Sequence, residues 1–119
     1  MADKGFIHLH LHSEFSLLDG RVMLTDLLKT CSRLGMDAVA VTDHGNMFAA
    51  IDFYTKALKA GIKPIIGIEA YIAPESRFNK QKTAGGISDA ANHLILLAEN
   101  NKGYQNLLKL ASIGYTEGF

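Results

Sequence analysis

Hydrophobic and polar residues along the chain follow two periods, which predict alternating strands and helices. Residues 6–11 alternate strictly, with Phe6, His8 and His10 on one side, as is typical of a strand with two different faces. Short and mostly apolar runs predict three further strands, at 37–42, 62–72 and 93–98. Apolar residues at helical spacing predict three helices, at 25–34, 48–60 and 101–114.

Capping residues and glycines indicate where the predicted helices begin and end. Thr25 is predicted to cap the first helix, and Gly35 and Gly61 are predicted to end the first and second. Two polar stretches, 13–20 and 74–88, are predicted to be loops. The buried side of the last helix is predicted to consist of Leu107, Leu108, Leu110 and Ala111.

Strands that alternate with helices predict the α/β class with a parallel sheet. We see no internal repeat and no linker, so residues 1–119 are expected to form one unit without an internal boundary. Four strands are few for a finished barrel, and no obvious terminating element precedes Phe119. We therefore expect the chain to be a piece of a larger domain, incomplete by itself.

Composition narrows the classes of function only slightly. The 119 residues carry 12 basic and 12 acidic side chains, so the formal net charge is zero. This balance removes the simplest argument for nucleic-acid binding, although a larger parent protein can still contact DNA.

The lone Cys31 permits no internal disulfide and is predicted to be a small core residue. No signal peptide or membrane-length apolar run is present, so we expect a soluble, cytoplasmic protein that does not enter a membrane.

Three histidines at a spacing of two lie on or next to the first predicted strand. His8, His10 and His12 would point to one face of that strand. Neutral imidazole is a common ligand for zinc and similar ions, so the row favours a metal site. A polar edge that faces solvent remains the alternative.

Further candidate ligands follow or end the other predicted strands. Asp43 and His44 come directly after the second strand, and Glu69 lies in the far part of the third, where burying a carboxylate is costly unless it is paired. In a parallel sheet these positions would meet at one edge. Considered by itself, Asp19 is predicted to be a turn residue. Strand direction alone would place His93 at the wrong end of the sheet, so spacing favours a structural role for it.

Histidines and carboxylates gathered at one edge indicate a metal-assisted hydrolase. Such a cluster activates water and stabilises charge on a phosphoryl group, but the same ligands could support amide hydrolysis. The sequence contains neither a phosphate-binding loop with its lysine, nor a dinucleotide fingerprint, nor a serine nucleophile elbow.

Four stretches of the sequence carry a family resemblance: 10–20, 42–46, 61–71, and 93–94 followed by 100–107. They resemble the PHP (polymerase and histidinol phosphatase) domain family, in the form found in bacterial replicative polymerase III alpha subunits. The first three resemble successive PHP motifs, and the fourth resembles a stretch that marks the polymerases. The resemblance covers nearly the whole chain.

The resemblance implies a distorted seven-stranded (β/α) barrel, of which residues 1–119 would be the amino-terminal portion. It also implies a cluster of up to three divalent ions, zinc or manganese, at the carboxyl-terminal mouth. Asp43 would be an adjacent acid, His8 a deeper neighbour, and Asp19 and His44 would also have catalytic roles. The implied metal ligands within this chain are His10, His12, Asp19, His44, Glu69 and His93.

The resemblance implies three alternative functions. In the full protein, which performs DNA-directed DNA synthesis, the site would hydrolyse phosphodiesters as a 3′–5′ proofreading exonuclease. It could instead be a scaffold that docks a separate proofreading subunit, and a stand-alone PHP phosphatase is the third alternative. The implied partners are DNA, a proofreading subunit and other replisome subunits. Later ligands lie beyond Phe119, so we expect this piece alone to be inactive, with an unpaired sheet edge that favours self-association.

Overall fold

The computed structural model describes residues 5–79 and 92–118, which form a three-stranded sheet packed with helices. The strands lie in the order β1-β2-β3, and the predicted α/β class is confirmed. Of the predicted loop 74–88, residues 80–88 lie outside the described part. The elements are a 3-10 helix Glu14–Asp19, α1 Leu24–Arg33, β1 Ala38–His44, α2 Ala50–Lys59, β2 Lys63–Ile72, β3 Asn92–Leu97 and α3 Asn101–Glu117.

The sheet is mixed rather than wholly parallel. Strands β1 and β2 are parallel, with His44 opposite Glu69. Strand β3 runs antiparallel to β2, with Tyr71 opposite His93, so the expectation of parallel strands is wrong for this one. Because of this reversal, the first residues of β3 lie beside the last residues of β2. His93 therefore lies at the same end of the sheet as His44 and Glu69, not at the opposite end.

The segment before the 3-10 helix lies along β1 but is not a regular strand, so the strand predicted over 6–11 is wrong. Ala40 N donates to His8 O at 2.9 Å and Thr42 N donates to Leu11 O at 2.8 Å. Three residues of the segment therefore face two residues of β1, which leaves one extra residue and breaks the ladder. Leu11 N donates instead to the Thr42 hydroxyl at 3.0 Å.

The hydrophobic core lies between the sheet and helices α1 and α2. Phe53 of α2 is fully buried, and filling such a position with an apolar side chain contributes roughly 1.5–3 kcal/mol. Cys31 is buried, and desolvation raises the pKa of its thiol, so its predicted place in the core is confirmed. The main core residues are Leu24, Leu27, Leu28, Cys31, Val39, Val41, Ala49, Phe53, Ala57 and Ile62.

Glycine ends the first two helices as predicted. Gly35 and Gly61 have φ angles of 70° and 72°, the left-handed region that an L side chain enters at a cost. After α1, Gly35 N donates to Ser32 O and Met36 N donates to Cys31 O, which is the pair of bonds of a Schellman motif. The predicted cap by Thr25 is wrong, because α1 begins at Leu24 after Met23 and has no side-chain cap.

Helix α3 is longer and more exposed than predicted. Asn100 caps it by accepting a hydrogen bond from Gly103 N at 3.0 Å. Leu107 is buried, as predicted, but Leu108 and Leu110 are exposed. Among the described residues, no helix has the length and apolar character needed to cross a lipid bilayer.

Replacing Gly67 in β2 with alanine is expected to destabilise the fold. An added Cβ would lie 2.6 Å from Leu96 O and 2.9 Å from Thr42 Cγ2, where neither neighbour can easily give way. We expect Gly67→Ala to lower the free energy of unfolding by about 2–3 kcal/mol in urea denaturation. Gly114→Ala in α3 is the control, because its Cβ would meet no atom of the described residues within 4 Å, and the variant should be neutral or more stable by up to about 1 kcal/mol. Equal midpoints for the two variants would contradict the close packing at Gly67.

Candidate metal centre

Four histidines surround one carboxylate where the segment 10–12, the end of β1, the far part of β2 and the start of β3 meet. His10 Nε2 lies 3.1 Å from Glu69 Oε2, and His12 Nε2 contacts the same oxygen. His93 Nδ1 lies 2.8 Å from Glu69 Oε1. His44 Nδ1 lies 3.5 Å from Glu69 Oε2. Glu69 is therefore the point that all four imidazoles share.

The Glu69 carboxylate is buried yet remains an anion. Its side chain is only 6% exposed. Burial alone would raise the pKa of Glu69, but hydrogen bonds from His93, His12 and His10, together with the charge of His44, outweigh that effect and lower the pKa to about 2. A buried negative charge at neutral pH attracts cations to this end of the sheet.

Asp19 adds a second carboxylate at the rim of the cluster. It is the last residue of the 3-10 helix, and its Oδ2 lies 3.3 Å from His44 Nε2. All six residues named as ligands by resemblance thus come together at one end of the sheet, including His93. His8 lies outside the cluster, because it is exposed and its ring packs edge-on against Phe6 at 4.7 Å. It is therefore not the deeper neighbour that the resemblance implied.

The Asp43 carboxylate is hydrogen-bonded to the loop that carries Asp19. Although Asp43 and His44 were expected to follow the strand, they are the last two residues of β1. Asp43 Oδ1 accepts hydrogen bonds from Ser13 N and Ser16 Oγ, and Oδ2 accepts one from Ser13 Oγ, all at 2.7 Å. With its oxygens satisfied in this way, buried Asp43 holds the loop rather than offering a free ligand atom.

Ser16 and Asn46 complete the attachment of the 3-10 helix to the end of β1. Ser16 Oγ accepts a hydrogen bond from His44 N at 3.1 Å. Asn46 Nδ2 donates to Phe15 O at 3.1 Å and to His44 O at 3.0 Å. These bonds fix the distance between the segment that ends in Asp19 and the backbone of His44. Ser16 and Asn46 both lie in stretches that resemble the family motifs, but their spacing in the sequence did not predict these hydrogen bonds.

Tyr71 is the neighbour of the cluster that sequence reasoning did not select. Its hydroxyl oxygen lies 3.1 Å from His44 Nδ1. Burial, followed by the charges of Glu69 and Asp19, raises the pKa of the Tyr71 phenol, so the group is neutral at physiological pH. The available signal was its position two residues after Glu69, which places both side chains on one face of β2.

The donor set fits a divalent transition metal. Imidazole nitrogen and carboxylate oxygen together suit zinc and manganese. Glu69 belongs to both of the groups whose ligand atoms lie within 4.8 Å of one another, so its two oxygens can serve two neighbouring ions. Those groups are His10, His12 and Glu69, and His44, Glu69 and His93.

Comparison with known proteins shows the family. The model of the PHP domain matches residues 8–119, so the chain belongs to the PHP domain family. Its relatives include DNA polymerase III subunit alpha of Borreliella burgdorferi, 57% identical over 115 residues that make up 96% of this chain and 10% of the relative. The same subunit of Mycobacterium tuberculosis is 50% identical over 127 aligned residues, 98% of this chain and 11% of the relative. The chain therefore spans about a tenth of the length of these curated relatives.

Solved structures with a similar fold support the same class of architecture. An amidohydrolase from Chromobacterium violaceum, with bound sulfate and no metal, matches with a TM-score of 0.58 at 19% identity, over 88% of this chain and 33% of that chain. A two-domain protein from Bacteroides vulgatus, described as containing a predicted PHP-like metal-dependent phosphoesterase, matches with a TM-score of 0.52 at 22% identity, over 89% of this chain and 31% of that chain. At these identities the likeness concerns the fold alone.

Removing the Asp43 carboxylate is expected to loosen the loop and destabilise the protein. Asp43→Ala leaves the Ser13 and Ser16 donors without their acceptor, and we expect the free energy of unfolding to fall by about 3 kcal/mol. Asp52→Ala is the matched control, because among the described residues Asp52 forms just an exposed pair with Lys56 at 3.0 Å, and its loss should cost less than about 0.5 kcal/mol. Thermal or urea unfolding of both variants measures the difference, and equal stability would refute the role given to Asp43.

Proposed function

We propose that this chain is the amino-terminal portion of the PHP domain of a bacterial DNA polymerase III alpha subunit, a cytoplasmic protein, and that its histidine cluster holds divalent metals and hydrolyses phosphodiesters. In the full protein the site would act as a 3′–5′ exonuclease during DNA synthesis. The observation that carries this proposal is the convergence of four imidazoles on the buried Glu69 carboxylate. The identity to alpha subunits supports the choice of parent protein.

The residues that would hold the ions are those already in mutual contact. His10 and His12 would share one ion with Glu69. In the other group, Glu69 and His93 would share a second ion, and we assign His44 to the rim, because Tyr71 engages Nδ1, the His44 nitrogen that lies near Glu69. His44 and Asp19 would hold a further ion at the rim. Zinc and manganese both suit these donors. When bound, such ions lower the pKa of water and neutralise charge on the phosphoryl oxygens.

The exposed rim of the cluster is where we expect the protein's own side chains to orient the substrate. Asp19 is more than two-thirds exposed, and its carboxylate is the outermost charged group of the cluster, so we assign it a catalytic role together with His44. The family resemblance places the remaining ligands after Phe119. The 119 residues alone are therefore expected to be inactive. Metal content and nuclease activity are properties to be measured on the full-length protein.

Metal content tests which residues hold the ions. We expect Glu69→Gln to lose more than one ion, because Glu69 serves both ligand groups, whereas His12→Ala should lose about one. Elemental analysis of the purified full-length protein measures the ions per chain. Glu99→Gln is the control, because Glu99 is exposed and belongs to neither group. Wild-type levels of metal in Glu69→Gln would exclude the proposed site.

Nuclease assays separate the proposed enzyme from a docking scaffold with a vestigial site. We expect the full-length protein to shorten a labelled DNA strand from its 3′ end. A chelator should abolish this activity, and Asp19→Asn should lower it by about a hundredfold or more, because the rim carboxylate is lost. A protein that folds normally and binds a proofreading subunit in chelator, but shows no nuclease activity with added zinc or manganese, would instead support the scaffold.

A further inference from the structure

We propose that Tyr71 is a positioning residue that occupies His44 Nδ1 and so leaves Nε2 of the same ring for a cation shared with Asp19. The inference rests on the proposed metal site and deepens it, because it states which nitrogen of His44 is the ligand atom and what selects it. It assigns Tyr71 no contact with the substrate.

The distances around His44 support this assignment. Nδ1 lies 3.1 Å from the Tyr71 hydroxyl oxygen but 3.5 Å from Glu69 Oε2, so the tyrosine is the nearer partner and lies within hydrogen-bond range. Nε2 faces the other way, 3.3 Å from Asp19 Oδ2. Each ring nitrogen offers one lone pair or one proton, so a nitrogen engaged by the tyrosine is not free to bind an ion.

The ring of Tyr71 is held in place by its own contacts. It lies nearly parallel to the His44 ring, with an interplanar angle of 13° and 6.0 Å between centroids. It also meets the His93 ring edge-on at 4.8 Å. Gly45 leaves the space for it, since a Cβ there would lie 3.2 Å from Tyr71 Cε2. Tyr71 thus contacts histidines from both neighbouring strands, so its hydroxyl can hold the His44 ring in one orientation.

A metal-bound histidine usually donates its second ring N–H to an outer partner, and losing that partner typically costs about 10–100-fold in metal affinity. When Nε2 of His44 is the ligand atom, Nδ1 carries the proton and donates it to the Tyr71 oxygen. Removing only the hydroxyl leaves Nδ1 beside Glu69 Oε2 at 3.5 Å without its nearer partner from Tyr71, so Nε2 is no longer selected as the ligand atom. The effect should therefore fall on one ion, while the ion between His10, His12 and Glu69 keeps all its ligands.

The test is a titration of the metal-free full-length protein with Mn²⁺, with the free ion followed by electron paramagnetic resonance. We expect Tyr71→Phe to weaken one Mn²⁺ site about tenfold or more and to leave the others and the melting temperature of the metal-free protein unchanged. Tyr54→Phe is the control, because Tyr54 lies on the exposed side of α2, and it should match the wild type.

Combining Tyr71→Phe with His44→Ala tests whether Tyr71 acts through His44. In His44→Ala the affected site is already lost, so adding Tyr71→Phe should change nothing further. Wild-type affinity in Tyr71→Phe, equal weakening of every site, or an additional loss in the His44→Ala background would each overturn the inference while leaving the metal site intact. A wild-type protein that binds no Mn²⁺ and no Zn²⁺ would refute the proposed function, and the inference with it.

Discussion

A buried negative charge on Glu69 is the constraint on which this end of the molecule depends. An isolated carboxylate in the interior of a protein costs several kcal/mol unless charge and hydrogen bonds compensate it. Here the compensation comes from imidazoles on three separate pieces of chain: the segment before the 3-10 helix, the end of β1 and the start of β3. The burial of the Glu69 charge therefore depends on the packing of all three segments against β2.

The direction of β3 shows why the site could be predicted only in part. Spacing predicted one shared face for His8, His10 and His12, but of these only His10 and His12 contact Glu69. It also predicted that His44 and Glu69 lie at one sheet edge, which agrees with the structure. His93 was misplaced by the spacing argument, because strand order was assumed to imply parallel direction. The predicted loop over 74–88, where a crossover helix would otherwise be expected, was the sign that the next strand could return antiparallel.

The parts of the site that sequence reasoning missed are those that depend on hydrogen bonds between distant residues. The serine-rich stretch 13–20 reads as an ordinary loop, and nothing in it shows that Asp43 will accept three hydrogen bonds from Ser13 and Ser16. The irregular path of residues 8–11 has the same origin, since the Thr42 hydroxyl replaces a backbone acceptor. Hydrophobic periodicity reports which face is buried, but it carries no information about such polar pairings.

The crowding of the histidines favours a cation over a purely structural role. The rings of His12 and His44 lie only 4.0 Å apart, and those of His10 and His12 lie 5.1 Å apart. Several imidazole nitrogens around one carboxylate form a donor set that suits a divalent ion, because the ion brings two positive charges to one point and accepts the nitrogen lone pairs. In the proposed site, an ion among these ligands would be attracted by Glu69 and bound by its imidazoles, and the Tyr71 hydroxyl beside His44 Nδ1 would select the ring nitrogen that takes part.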